Sequence, residues 1–326
     1  MITKLMVYEG HGFDPHENLA LEKYLLDSVE PGCCILYLWQ NQNTVVIGRN
    51  QNAWVECRLA ALEEAGGKLA RRLSGGGAVF HDVGNLNFTF LVPEEDYDVD
   101  KQLSVIQKAC GHSGIRVEKS GRNDLLANGF KFSGNAFYHA QGKAYHHGTI
   151  MVDVDMSKLS AYLSPPKAKL EAKGISSVRS RVVNLKELDP ELTCDKMREL
   201  MKKAFSEVYG LSAEPFLLTE EGKAEIEALR REYSSFEYLC GTPLPATFTC
   251  ERKFPWGYIQ VQMQVESGAV KVCKVYTDAM EWELSRIVED ALTGCRFHYE
   301  ELEEALAQHS GEIFRDICAL LREQIL

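Results

Sequence analysis

The 326-residue chain has no apolar run near the ~18–20 residues that cross a bilayer as a helix, which excludes a helical channel or transporter. Its first residues, MITKLMVYEG, hold no hydrophobic signal-peptide core, and no Arg/Ser-rich transit pattern follows them. A cytoplasmic protein is expected. Ten cysteines are present, at 33, 34, 57, 110, 194, 240, 250, 273, 295 and 318, but no C-x-x-C pair and no Cys/His cluster at zinc spacing. Scattered like this, they read as reduced and partly buried thiols rather than as a disulfide framework or a zinc site. Positive charge is outweighed: 36 Lys and Arg stand against 47 Asp and Glu, a formal net charge of −11. Such a surface repels a phosphate backbone, so general nucleic-acid binding is excluded. Long repeats and low-complexity tracts are also missing.

Within that acidic frame, basic residues gather at Lys68, Arg71 and Arg72, and again at Lys167, Lys169, Lys173, Arg179 and Arg181. A local basic site in an acidic protein suits a small anion better than a long polyanion. Hydrophobic residues make up 45% and charged residues 25%, enough for one large domain or two ordinary ones. Residues 13–29 predict a helix, with Asp14 as N-cap and Pro15 at its first position. Further helices are expected at 54–65, 101–110, 156–163, 194–209 and 219–232. Strand signals lie at 34–40 and 44–50 with a turn between them, at 68–74, at 87–92 and in pieces across 129–153. After a Gly/Pro/Thr-rich joint at 240–247 come strands with a Ser-Gly turn, then helices at 283–292, 300–308 and 312–325. Strands and helices are grouped rather than alternating one by one. The expectation is an α+β fold: a large domain of mixed or mostly antiparallel sheets (1–239), a linker (240–247) and a small α+β domain (248–326).

Residues 71–90 read RRLSGGGAVFHDVGNLNFTF. Three glycines in a row are costly to order. The run is not a Walker A loop, for no G-K-[ST] follows, and no G-x-G-x-x-G opens a helix here. It is either a hairpin turn or an anion-binding nest of backbone N–H groups. A turn alone does not account for Arg71 and Arg72 before it, or for His81, Asn85 and Asn87 after it. Residues 122–154 carry the second signal. Lys131 sits between two phenylalanines in F-K-F-S-G, either an edge lysine or a point charge for a phosphate and a developing oxyanion. Asp124 is either an Asx turn with Asn123 or a residue that coordinates Mg²⁺ or binds a ligand group. His146 and His147 alternate across a strand, so at most one faces a site.

Six stretches, in order, complete the pattern: LWQNQNTVVIGRNQNAW (38–54), RRLSGGGAVFHDVGNLNFTF (71–90), RNDLL (122–126), KFSGNAFY (131–138), HHGTIMVDVDMSKLSAYL (146–163) and KGISSVRSRVVNL (173–185). Together they resemble the bacterial lipoate–protein ligases, and they cover most of residues 30–190. The part after the joint resembles the accessory domain of the longer ligases.

The resemblance implies a fold shared with biotin protein ligases. It also implies a reaction in two steps: ATP and lipoate give lipoyl-AMP plus pyrophosphate, and the adenylate then acylates a lysine of a lipoyl domain. By the family pattern, Ser74, Gly75, Gly76, Gly77, Ala78 and Val79 line the adenylate, and Arg72 and His81 flank its acyl and phosphate region. Asn85 contacts the nucleotide phosphate or its metal, and Asp124 takes a Mg²⁺ or nucleotide role. Lys131 is the catalytic residue in both half-reactions. Gly134, Ala136, His147, Gly148 and Thr149 wall the pocket. An apolar tunnel is expected for the acyl chain, lined by Val45 to Ile47, Val79 and Phe80.

ATP and Mg²⁺ are the implied cofactors. The implied partners are apo lipoyl domains of 2-oxoacid dehydrogenase acyltransferase subunits or the glycine-cleavage carrier protein, with no nucleic acid and no membrane. Arg179 and Arg181 would close over the adenylate or dock the acceptor, and 240–247 would act as a hinge. The alternative is an octanoyl or lipoyl transferase, which shares this fold and lysine but uses a cysteine thiolate. Where those enzymes carry Pro-Cys-Gly, this chain has Leu163-Ser164-Pro165-Pro166. Cys33, Cys34 and Cys57 lie outside the matched stretches, which favours ATP-dependent ligation. Two departures from the ligase pattern, Leu73 and Asn135, bear on acyl-chain preference.

Overall fold

The computed structural model describes residues 1–121, 123–164 and 182–325, the Ser160 side chain excepted. Strand β1 (Lys4–Glu9) leads into helix α1 (Pro15–Ser28). The predicted cap is in place: the Asp14 carboxylate accepts from the N–H of His16 at 2.9 Å and of Glu17 at 3.3 Å, with Pro15 opening the helix. The chain continues through β2 (Cys33–Trp39), β3 (Thr44–Ile47), α2 (Ala53–Glu56), α3 (Leu59–Glu64), β4 (Lys68–Arg71), β5 (Val79–His81), β6 (Asn85–Pro93) and α4 (Val99–Gly111). Then come β7 (Val117–Ser120), β8 (Asp124–Ala127), β9 (Phe130–Ala140), β10 (Lys143–Met151) and α5 (Met156–Tyr162). Beyond residue 181 follow α6 (Cys194–Tyr209), β11 (Ala213–Pro215), α7 (Glu220–Tyr233) and α8 (Phe236–Cys240). The C-terminal part holds β12 (Phe248–Phe254), β13 (Gly257–Glu266), β14 (Ala269–Thr277), α9 (Leu284–Leu292), α10 (Tyr299–Ala307) and α11 (Glu312–Ile325).

Eight strands form one sheet in the order β11-β1-β2-β6-β10-β9-β8-β7. β1 runs parallel to β11 and β2, and the other neighbours are antiparallel. Two three-stranded sheets, β4-β3-β5 and β12-β13-β14, complete an α+β fold of mixed sheets. Strand alternation gives the large sheet two faces. Leu36, Leu38, Phe88, Phe90, Phe132 and Ile150 pack under α4 and α6. Ile35, Tyr37, Trp39, Leu91, Tyr138 and Tyr145 face α1, α7 and the small sheet β4-β3-β5. In register with that second face stand two cross-strand rows, Trp39–Asn87–Thr149 and Tyr37–Thr89–His147–Ala136. The C-terminal sheet and α9 to α11 enclose a separate core around Ile259, Val261, Leu302 and Leu320. Its expected Ser-Gly turn has both residues at positive φ, Ser267 at 52° and Gly268 at 75°, the conformation a two-residue hairpin favours.

Two expectations change. The single helix at 54–65 is two short ones, because Cys57 bridges to Leu163 and the Arg58 N–H donates to the Tyr162 carbonyl at 2.9 Å. The strand signals at 34–40 and 44–50 do not pair: β2 joins the large sheet and β3 the small one.

Candidate active site

The glycine loop leaves β4 and is braced from inside. The Arg72 guanidinium donates from Nη2 to the carbonyls of Gly75 at 2.7 Å and Gly77 at 2.8 Å, and from Nε to Ser74 Oγ at 3.0 Å. Burial lowers its pKa to about 10, which still leaves it protonated at neutral pH. Arg71 likewise donates from Nη1 to the carbonyls of Arg49 at 2.8 Å and Gln51 at 2.7 Å, and from Nη2 to that of Leu239 at 2.5 Å. Arg72 thus spends its donors on the loop itself, while Arg71 ties the end of β4 to residues 49–51 and to α8.

Each glycine has its own reason. A β-carbon on Gly75 would lie 2.4 Å from the Ala279 carbonyl oxygen. Gly76 has φ +89°, where side chains are strained. A β-carbon on Gly77 would meet nothing within 4 Å, so this residue marks the open side of the loop. Ala78 packs towards α3 and α5, and Val79 towards the large sheet.

Ser74 ties the loop to the large sheet. Its Oγ lies 2.8 Å from His147 Nε2, and His147 Nδ1 lies 2.8 Å from Glu22 Oε1 on α1. His147 Nδ1–H donates to the Glu22 carboxylate, and in the neutral ring Nε2 then accepts from the serine hydroxyl. Glu22 also accepts from Thr89 Oγ1 at 2.7 Å. Arg72 and Glu22 are thus opposite charges at the two ends of one buried chain. His146 points to the other face, between Gln102 and Asn135, and burial holds its pKa down at about 3.

Lys131 Nζ lies 2.6 Å from Asp124 Oδ1, each side chain about one-third exposed. A β-carbon on Gly134 would sit 3.2 Å from that Nζ, so the lysine lies across Gly134 on the face that carries Ala136 and His147. The Gly134 N–H donates to Thr149 Oγ1 at 3.2 Å. Asn123, just before Asp124, adjoins the glycine loop through Met280, whose sulfur lies 4.0 Å from Asn123 Nδ2 and 3.3 Å from a β-carbon built on Gly76. Asn85 is buried and donates to Asn87 Oδ1 at 2.8 Å. His81 is buried beside Trp39, with ring centroids 6.3 Å apart.

The structure corrects two placements. Gly148 does not wall this pocket: a β-carbon there would point to the opposite face, 2.7 Å from Phe88 Cζ, so its glycine serves close strand packing. Of the expected tunnel lining, Val46 and Val79 face the large sheet, while Val45, Ile47 and Phe80 pack away from it. Arg122 and the basic stretch with Lys167, Lys169, Lys173, Arg179 and Arg181 lie outside the described residues. Among the described residues, no group of three or more His, Cys, Asp or Glu is placed to hold a metal.

Residues 14–206 match the family described as the lipoyl protein ligase A/B catalytic domain, and residues 245–321 match the bacterial lipoate protein ligase C-terminus. The chain belongs to the lipoate–protein ligase family. It is 39% identical to the lipoate-protein ligase A of Bdellovibrio bacteriovorus, over 95% of this chain and 94% of the relative. In fold it is similar to the P. falciparum LipL1 structure in complex with lipoate, with TM-score 0.83 and 24% identity over 97% of this chain and 98% of the other. A structure described as a bi-partite lipoate protein ligase and its E2 lipoyl domain from Thermoplasma acidophilum aligns with TM-score 0.66 and 27% identity over 76% of this chain and all of the other. A lipoate-protein ligase A bound with ATP aligns with TM-score 0.63 and 27% identity over 74% of this chain and 99% of the other.

In this ligase-family chain every cysteine is described, and burial raises the pKa of all ten thiols. Cys57, beside the small sheet, is pushed up to about 12. The sequence reading missed Glu22, whose signal was a charge on an apolar stripe between Leu19 and Leu26. It also missed the C-terminal segment 277–282 that covers the loop, which no local pattern announces.

Proposed function

We propose that this ligase activates lipoate with ATP to lipoyl-AMP, releasing pyrophosphate, and then transfers the lipoyl group to a lysine of a lipoyl domain, releasing AMP. The observation that carries the reading is Lys131, held by Asp124 across Gly134, beside a braced glycine loop whose Gly77 faces open space. Joining a carboxylate to a phosphate brings two anions together. A lysine charge with backbone donors offsets that repulsion and stabilises charge developing at the reacting oxygens. The anhydride must then be kept from water. Ser74, His147 and Glu22 form a floor with no slack, since each is less than a tenth exposed. Val46, Val79, Trp39 and Ala136 offer apolar surface to the acyl chain, worth ~25 cal/mol per Å² covered.

Mg²⁺ enters as part of the proposal. It typically takes one or two carboxylates and the nucleotide's own phosphates, which it neutralises. Asp124 is the carboxylate that would hold it. ATP as nucleotide, a cytoplasmic setting, the boundaries 1–239, 240–247 and 248–326, and 2-oxoacid dehydrogenase or glycine-cleavage acceptors belong to the same proposal. A cysteine-dependent transferase would need a thiolate at the site, and the raised thiols argue against one.

The test is a mass shift on an apo lipoyl domain. One tube holds protein, Mg-ATP and lipoate; the other holds octanoyl-carrier protein without ATP. Acylation only in the first, with AMP released, is expected. Acylation only in the second would establish the transferase instead.

A further inference from the structure

Lys131 and Gly134 lie three positions apart on β9, and plain alternation would put them on opposite faces of the sheet. A bulge prevents this. Leu125 pairs with Ser133 and Leu126 with Lys131, so Phe132 is an extra residue with no partner on β8. The bulge turns Lys131 onto the face of Gly134, where its Nζ reaches Asp124. Bulges disrupt the ladder around them, and Asp124 pairs with Gly134 one step beyond this one. What steadies Asp124 lies on its other side.

There Asn123 and Asn135 are joined by three hydrogen bonds. The Asn123 carbonyl accepts from the Asn135 N–H at 2.9 Å and from Asn135 Nδ2 at 2.9 Å, and Asn123 Nδ2 donates to the Asn135 carbonyl at 2.8 Å. The Asn135 side chain stands on the face away from the site, in the row Leu38–Phe88–Gly148–Asn135, whose Leu38 and Phe88 pack under α4 and α6. Gly148 makes room for it, since a β-carbon there would lie 2.9 Å from Asn135 Oδ1. This departure from the ligase pattern thus faces α4 rather than an acyl pocket. A backbone carbonyl can only accept, so Asn135 keeps Nδ2 on Asn123 and turns Oδ1 to His146 Nε2, 2.7 Å away. Nε2 therefore carries the proton. His146 is fully buried among Phe88, Phe90 and Phe137, and burial keeps it neutral, so its Nδ1 accepts. The side-chain amide of Gln102 on α4 lies 3.1 Å from that Nδ1. Its oxygen there would set two acceptors face to face and leave Gln102 Nε2 buried with no partner among the described residues, so the amide presents Nε2–H instead.

We propose that Asn135 is a positioning residue for adenylate formation: His146 and Gln102 fix its amide from behind, and the amide clamps the Asn123–Asp124 backbone so that the Asp124 carboxylate stays against Lys131. The adenylate rests on the ligase reading above; the direction of the hydrogen bonds rests on the fold alone. Lys131 and Asp124 are each about one-third exposed, so their own attraction is screened by water and does not fix the geometry. The buried bonds behind them do. A misplacement near 1 Å can cost about a hundredfold in rate, far more than the same shift costs in stability.

The experiment labels the histidines with ¹⁵N, reads the wild-type His146 tautomer from two-bond proton–nitrogen correlations, and measures lipoyl-AMP formation per folded molecule in Asn135→Ala. Wild type should show Nε2–H; an Nδ1–H ring overturns the proposal. Asn135→Ala keeps the two bonds made by the Asn135 backbone and removes the one made by its amide. It should slow lipoyl-AMP formation about tenfold, with lipoate affinity by calorimetry unchanged, since the side chain faces away from the ligand. A lower thermal midpoint with the wild-type rate shows a structural role alone and overturns the proposal. A weaker lipoate affinity with the rate intact also overturns it, and places Asn135 in the acyl site. Should Asn135→Ala not fold, Gln102→Met decides. It removes the donor to His146 Nδ1 at similar volume, frees ring and amide to turn, and should slow the reaction at least about threefold. An unchanged rate there overturns the proposal. A wild-type chain that makes no lipoyl-AMP at all defeats the ligase reading and leaves the tautomer measurement standing.

Discussion

At the scale of the residue, Lys131 and Arg72 are cations of different kinds. Lys131 is about one-third exposed and its removal opens no buried cavity. Lys131→Ala should leave the thermal midpoint unchanged and abolish lipoyl-AMP formation, read by AMP and pyrophosphate release; adenylate at the wild-type rate would sink its assigned role. Arg72 is buried and holds three groups of its own loop through a planar fork. Lysine cannot reproduce that fork. Arg72→Lys should cost about 2–4 kcal/mol of stability, read by urea unfolding, because buried carbonyls lose their donors. The sequence made Lys131 legible, since a lysine between two phenylalanines is an odd choice for a strand. It left Arg72 ambiguous, because a buried brace and an exposed phosphate ligand are spelled alike. Glu22 was legible only as an anomaly on an apolar stripe.

At the scale of the element, the glycine loop combines three separate constraints. The sequence showed that backbone there must approach something closely, but not that Gly75 answers to a segment 200 residues away. Gly77→Ala should leave stability intact, since its β-carbon meets nothing within 4 Å, yet weaken nucleotide and lipoate binding, read by calorimetry. The helix announced by a cap, Asp14 with Pro15, matched closely because that signal is local. The break between α2 and α3 was not legible. Its cause is pairing with residues 162 and 163, about a hundred positions on. The placement of β3 in its own sheet is equally non-local.

At the scale of the whole molecule, the C-terminal part leans on the loop through named bonds. The Gly76 N–H donates to the Ala279 carbonyl at 2.9 Å, the Thr277 N–H to that of Asn50 at 2.9 Å, and Asn50 Nδ2 to that of Trp282 at 2.8 Å. Trp282 also lies under the Arg49 guanidinium at 4.9 Å and packs, tilted, against Tyr138. Gly75→Ala should push this segment off while each core stays folded, because the C-terminal core is its own cluster. Faster hydrogen exchange at the Gly76 amide, with an unchanged rate in β13, is the expected readout.

The Gly76–Ala279 bond has a thermodynamic consequence. One N–H cannot serve a carbonyl and an incoming anion at full strength. A ligand that takes it must loosen the docked segment, and a tighter dock must weaken the ligand by the same factor. Occupancy of the loop and attachment of the C-terminal part are therefore two readings of one equilibrium. A variant that shifts either is a measuring device for the other.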